Sequence, residues 1–339
     1  MKGRIIVSTL LALLLFVSLP MSALAATWDI GNGDITVNAG SGGQTVTQGD
    51  GAAVEDSAPV ITGSSTENTV TINAEKDQTA SVTLSGANID VSGAGKAAVS
   101  TNGEGNVSIE LDGDSTLKSG YDHAGLEKNN GGSLTIADQD KNGKLTAESK
   151  YCGAGIGGGN QRDGSNIIIT GGEIKATGGQ HGAGIGGGSG GNGSDITISG
   201  GKVRATSKEN GAGIGGGQRG SGSNITISGG EVSAIGDYNG AGIGGGYWGN
   251  GSDITISGGN VEARGGKKSA GIGGGFRGTG SDITVSGNTQ LKVRGGRDQG
   301  NNGTGAGIGN GGDNGTNGAE VKPDICALNP GGKIEYYAP

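Results

Sequence analysis

Aromatic side chains make up only 3% of this 339-residue chain, yet several of them, with two arginines, fall at one place in a repeat. Seven residues beyond the alanine of each GAGIGGG motif the sequence reads Gln161, Gly190, Arg219, Trp248 and Arg277; six residues beyond, it reads Asn160, Ser189, Gln218, Tyr247 and Phe276. If the repeats stack, Arg219, Tyr247, Trp248, Phe276 and Arg277 gather into one loop patch. Aromatic faces of this kind stack on sugar rings, and guanidinium groups pair with uronate carboxylates. The same side chains could instead hold one another in a cation–π ladder that stabilises the loops.

A second candidate is the run Asp138-Gln139-Asp140-Lys141-Asn142-Gly143. It matches the opening of a calcium loop, with oxygen donors on Asp138, Asp140 and Asn142 and glycine at the turn. The bidentate glutamate that should close such a loop falls at Ser149, with Glu148 one place early. A plain turn between strands is the simpler reading. The string GGNGSDITI from Gly190 resembles a calcium-binding nonapeptide as far as Asp195. Its column, however, runs Asn166, Asp195, Asn224, Asp253 and Asp282, mixing amides with carboxylates where calcium favours anionic oxygens. Asx side chains closing turns explain that mixture better.

Polysaccharide lyases and hydrolases need clustered or paired carboxylates, the lyases with a basic residue beside them. Here the acids are spread singly through the repeats, so no catalytic set is expected, although residues from different coils could converge in space. His123 and His181 read as isolated, solvated loop residues. GAGIGGG invites comparison with phosphate-binding loops, but six copies without a following helix read as a packing motif. Thr197 and Ser199, with copies at Thr226 and Ser228 and beyond, form a hydroxyl array of the kind that ice-binding solenoids use. Outward serine and threonine are also ordinary strand chemistry.

The elements that must position these residues follow from the period. The motif alanine recurs at Ala154, Ala183, Ala212, Ala241 and Ala270, four intervals of 29, with a looser copy at Ala306. Each unit offers three short extended pieces separated by glycine-rich corners. In Ile196-Thr197-Ile198-Ser199 the isoleucines share one face and the hydroxyls the other, so stacked copies would build an isoleucine spine. Three strands in 29 residues fit one coil of a parallel β-helix, whereas a propeller blade needs four strands and about 40 to 45 residues. The ladder predicts columns: Glu173, Lys202 and Glu231 alternate in sign, and Lys175, Arg204, Ser233 and Glu262 avoid a pile-up of carboxylates. The expected fold is all-β, a single right-handed parallel β-helix of roughly nine or ten coils.

The earlier sequence repeats this design loosely, around Ile35, Val70, Val82, Val107 and Leu134, with spacings of 25 from Val82 to Val107, 27 to Leu134 and 33 to Ile167. We read residues 26–320 as one solenoid, with diverged coils over 26–150 and regular coils over 151–310. Trp28 and its neighbours are expected to cap the first coil. Residues 321–339 lose the repeat and are expected to form a C-terminal cap or tail.

Composition sets the compartment. Lys2 and Arg4, an apolar run from Leu10 to Val17 and the small-residue pattern Ala23-Leu24-Ala25 form a secretory signal over residues 1–25. Cleavage there leaves 22 basic against 32 acidic side chains, and no basic cluster, so nucleic acid is not an expected partner. No later segment has the composition of a membrane span. With 81 glycines the chain would be disordered were it not for repetition, which lets stacked units bury one continuous narrow core. Cys152 and Cys326 are too few for a disulfide framework and lie about six coils apart, so both are expected to be free thiols.

The units SLTI…GKLTAES…GAGIGGG and SVTLSGANIDVSG resemble the carbohydrate-binding-domain-containing surface proteins of clostridial-type bacteria, within the broader pectate-lyase-like β-helix group. That resemblance implies an extracellular, surface-associated protein that binds polysaccharide, with calcium used by some members. The expected function is therefore non-catalytic binding of a polysaccharide or host glycan, acidic ones included, with a purely structural or adhesive solenoid as the alternative. A lyase-like enzyme and an ice-binding protein rank lower, and no cofactor other than calcium is suggested. The oligomeric state is not legible in the sequence.

Overall fold

The computed structural model describes residues 25–297, 304–323 and 327–337. Residues 1–24, and with them all but the last residue of the expected export signal, lie outside the described residues, as does Cys326. The chain winds as a right-handed parallel β-solenoid of about nine turns. Among the described residues its strands form three sheets, here called A, B and C, of ten, twelve and ten strands.

One coil illustrates the path. The two-residue strand Ile185–Gly186 lies in sheet B, Gly193–Ile198 in sheet A and Lys202–Thr206 in sheet C, before the chain re-enters sheet B at Ile214–Gly215. Each strand pairs with its copy 29 residues on: Ile185 with Ile214, Ile196 with Ile225, Val203 with Val232. Alternation decides which side chains enter the core. Ile196 and Ile198 are fully buried with Thr197 between them half-exposed, and Val203 and Ala205 are buried between exposed Lys202 and Arg204. Each large aliphatic side chain buried this way contributes about 1.5–3 kcal/mol, and stacking converts a thin ring per coil into one continuous core.

Glycine is required where coils approach closely. Gly186 sits at φ 129°, and a Cβ there would overlap the carbonyl oxygen of Gly215 in the next coil. The Asn166, Asp195, Asn224, Asp253 and Asp282 column answers a related need. All five adopt φ of 50–55°, a left-handed bend that Asn and Asp tolerate better than other non-glycine residues. For the first four the bend falls inside the strand, where the register passes over one residue on each paired strand, so the Asx column bends the strand rather than closing a turn.

In the diverged coils the register differs from the sequence expectation. Val82 pairs with Ile109, and Val107 with Leu134, so the interval from Val82 is 27 residues rather than 25. Ile35 and Val70 belong to sheet B, not to the column of Val82. At the N-terminal end, Gly43–Gln48 turns back antiparallel on Ile35–Gly40, and Val54–Glu55 extends the hairpin. Trp28 lies in the first rung of sheet A, its Nε1 donating to the buried Asp56 carboxylate at 2.8 Å. At the other end Lys333–Tyr336 adds a parallel rung to sheet C, and the Glu320 carboxylate accepts from the backbone of Gly307 and Ile308 at 2.6 and 3.1 Å.

Candidate functional site

GAGIGGG supplies the two-residue strand of sheet B at its centre and closes on itself around it. Ala183 N donates to Gly187 O at 2.9 Å, Ile185 joins the core, and the residues on either side of the motif meet outside it. The corner after one motif therefore hydrogen-bonds to the corner before another: Tyr247 N donates to Asn210 O at 2.8 Å, and Phe276 N to Asn239 O at 3.0 Å. Two columns of loop side chains run side by side along the solenoid.

The second column gathers the five residues singled out by their repeat position. Tyr247 stacks between Trp248, with ring centroids 4.9 Å apart, and Phe276, at 5.5 Å and nearly parallel. The Arg219 guanidinium lies 5.5 Å from the Trp248 ring, and Arg277 lies 5.3 Å from Phe276. Lys268 joins them, 5.5 Å from Phe276. Their exposures differ: Phe276 is buried, whereas 46% of Trp248 is open to solvent. Arg277 also donates through Nε to Asp313 at 2.6 Å, and this bond, with a second from Asn314 N, holds the exposed Asp313 carboxyl below its usual range. Trp248 sits at φ 65°, as Arg219 and Arg277 sit at 66° and 63°. A bulky side chain in that region is unusual and strained.

The first column was not anticipated from sequence. Two residues before each motif alanine stand Cys152, His181, Asn210, Asn239 and Lys268. His181 Nδ1 meets the Asn210 amide at 3.0 Å, and Asn239 Nδ2 donates to Asn210 Oδ1 at 2.7 Å. Tyr151 stacks on Tyr121 at 4.5 Å and meets the His181 ring edge-on at 4.9 Å. The same backward count from each alanine that located Trp248 by a forward one would have found this ladder. His123 is likewise not isolated: its Nδ1 lies 2.8 Å from the Glu127 carboxylate. The partners of His181, Tyr151 and Asn210, lie in the neighbouring coils, whereas that of His123 stands only four residues on and meets it through a local bend outside any helix.

Glu127 and Lys128 mark where the diverged coils give way to the regular ones. Glu127 pairs in register with Gly157, so acid and base occupy positions that later become glycine. Both are almost fully buried. The Glu127 carboxylate also accepts from Ala124 N and Asn129 Nδ2, each at 3.0 Å. Lys128 Nζ donates to Asn130 O at 2.6 Å, and Asn130 is held in turn by Thr101 and Gly105. Burial pushes the Lys128 ammonium down to about 8. Burial, reinforced by the neighbouring Asp122 carboxylate, pushes the Cys152 thiol up to about 11.

The Asp138–Gly143 run closes on itself. Asp138 accepts from Asn142 N at 3.2 Å and Gly143 N at 3.1 Å, while Asn142 Nδ2 donates to Asp112 at 3.1 Å. Asp140 is exposed. Among the described residues no group of three or more His, Cys, Asp or Glu is arranged to hold a metal ion. Both Asp138 oxygens are thus taken up in closing the loop onto backbone N–H groups four and five residues on, and these are oxygens that a cation would need. Also among the described residues, no helix is long and apolar enough to cross a membrane.

Residues 141–160, 167–189, 196–218, 225–247 and 254–276 match the family model described as a beta helix repeat. No curated protein and no solved structure matches the chain. The matched segments follow the coils of the regular half, and with the parallel rungs of the three sheets they identify the fold as a right-handed parallel β-solenoid.

Proposed function

We propose that this chain is an exported, non-catalytic solenoid that holds a polysaccharide or host glycan at the loop corner around Trp248. The observation that carries this reading is Trp248 itself, exposed and left-handed at φ 65°, with Tyr247 stacked on it and Arg219 beside it. Glycine fills the same column at Gly190, so the backbone has no need of tryptophan there. Holding a bulky residue in that conformation costs of the order of 1–3 kcal/mol, and such strain concentrates at binding sites. A half-open indole with a cation over its ring suits a sugar ring bearing a carboxylate. The resemblance to clostridial-type carbohydrate-binding surface proteins, and the export signal, support an extracellular role.

A glycan array probed with the whole chain, with and without calcium, tests the reading. Binding that falls when Trp248, Tyr247 and Arg219 are replaced by alanine is the expected result; binding that is unchanged removes the site, and a blank array removes the function. Release of unsaturated or reducing ends from a bound polysaccharide would instead make the chain an enzyme.

The alternative of a purely structural or adhesive solenoid is favoured by one observation. Tyr247 has both faces covered by Trp248 and Phe276, as a self-supporting ladder requires. That reading expects attachment to cells or matrix with no affinity for soluble glycan.

A further inference from the structure

The outer face of sheet C carries charges that its own side chains leave unused. The first outward position of successive strands reads Asp114, Lys144, Glu173, Lys202 and Glu231, paired rung by rung. The sign alternates over five rungs. Parallel strands lie about 4.8 Å apart, so each charge has an opposite one directly above or below it. Yet these five form no ion pair with one another, although pairs do form nearby, where Lys118 reaches Asp90 at 3.5 Å and Lys175 reaches Glu148 at 3.9 Å. Relief of repulsion alone would be served by contact; here the charged heads stand apart in solvent.

They also stand in a groove. One hollow of about 510 Å³ is lined by Asp114, Lys144, Glu173 and Lys202, with Asp138 and Lys141 on its wall. A second, of about 400 Å³, continues from Lys202 past Glu231 to Asn260. Lys202 lines both, so the two hollows adjoin at its side chain and follow one another along the direction in which the solenoid grows.

Like charges in this strip recur every second rung, about 9.6 Å. That is the length of one disaccharide in an extended β-linked polysaccharide. A polypeptide strand laid along the strip repeats every two residues, about 6.7 Å, and falls out of step at once. A polymer with an acid on every sugar would set alternate carboxylates against Glu173 and Glu231, which repel them. With a formal net charge of −8 the chain has no general attraction for polyanions, so any affinity must come from local matching.

We propose that the sheet C strip binds an extended linear polysaccharide bearing one anionic group per disaccharide. Lys144 and Lys202 pair with successive anionic groups, while Glu173 and Glu231 accept hydrogen bonds from the sugar hydroxyls between them. The inference rests on the glycan-binding reading but uses a different face from the Trp248 corner.

The test is titration calorimetry of the whole chain with hyaluronan, which carries one carboxylate per disaccharide, with polygalacturonate, which carries one per sugar, and with a neutral β-1,4-glucan oligomer. Hyaluronan should bind most tightly, and Lys144→Gln with Lys202→Gln should weaken it by about tenfold or more, the loss expected for charge-assisted hydrogen bonds. Glu173→Gln with Glu231→Gln should let polygalacturonate bind better, a gain that misfolding cannot imitate. Equal binding of the two acidic polymers, or hyaluronan binding indifferent to both double variants but lost in Trp248→Ala, overturns the strip and leaves the corner standing. No binding to any polymer here, with a blank glycan array, overturns both.

Discussion

The Glu127 carboxylate lies 2.8 Å from His123 Nδ1, in a coil whose successor has glycine at the paired position. Three donors converge on that one acid. Glu127→Ala strands the buried Ala124 N–H among them, and should lower stability by about 1–3 kcal/mol. Glu127→Gln keeps an accepting oxygen and should lose less. Thermal unfolding followed by circular dichroism ranks the two, and an unchanged melting temperature in the alanine variant would show that the cluster is not structural.

Lys128 makes stability depend on alkaline pH. Burial lowers its folded value to about 8 from the ordinary 10.5. Between these values the unfolded chain keeps a proton that the folded chain has released, so stability rises with pH across that window. Below it, the cost of burying the charge is fully present. Lys128→Met should therefore differ most from the natural chain at neutral pH, the difference shifting steadily as pH climbs from about 8 toward 10.5. Urea midpoints measured over this range decide the matter; a constant offset would mean that Lys128 is not strained by burial.

Cys152 should be a sluggish thiol. With its value raised to about 11, almost none is thiolate at neutral pH. Alkylation by iodoacetamide, followed on the Cys152 peptide by mass spectrometry, should be slow in the folded chain and faster once it is denatured. Asp122→Asn removes the carboxylate that adds to the effect of burial, and should quicken the folded reaction modestly. Equal rates before and after denaturation would contradict the assignment.

Trp248 separates strain from contact. Trp248→Gly relieves the left-handed backbone and should leave stability near that of the natural chain, since Gly190 already fills this column at φ 78°. Trp248→Val places a β-branched residue where it fits worst, and should be less stable than the glycine variant by about 1–3 kcal/mol. Chemical denaturation of the two variants checks the order, which a relaxed backbone at this position would abolish.

The regular half of the fold was legible because its period is strict. Once Ala154 and Ala183 are aligned, every rung from Glu173 to Glu262 follows, and the sign-alternating columns fall where the strands place them. The diverged half misled by two residues at Val82, for a physical reason: a two-residue slip keeps every side chain on its own face, so alternation cannot detect it. The antiparallel hairpin over Gly43–Gln48 occurs once and has no repeat to betray it. At the corners, counting from the motif alanine brought Tyr247, Trp248 and Phe276 together, because loops of constant length preserve position as well as strands do. The ion pair of Arg277 with Asp313 escaped notice, since it joins a regular coil to one that has lost the period.

The column from Asp114 to Glu231 also limits how such a chain can change length. Removing the single 29-residue unit that begins at Glu173 would bring Lys144 beside Lys202, and duplicating it would set two glutamates in contact. Removing or duplicating two adjacent units keeps every neighbour opposite in sign. Growth by even numbers of coils is thus electrostatically silent and growth by odd numbers is not, so the alternation acts as a parity check on the number of repeats.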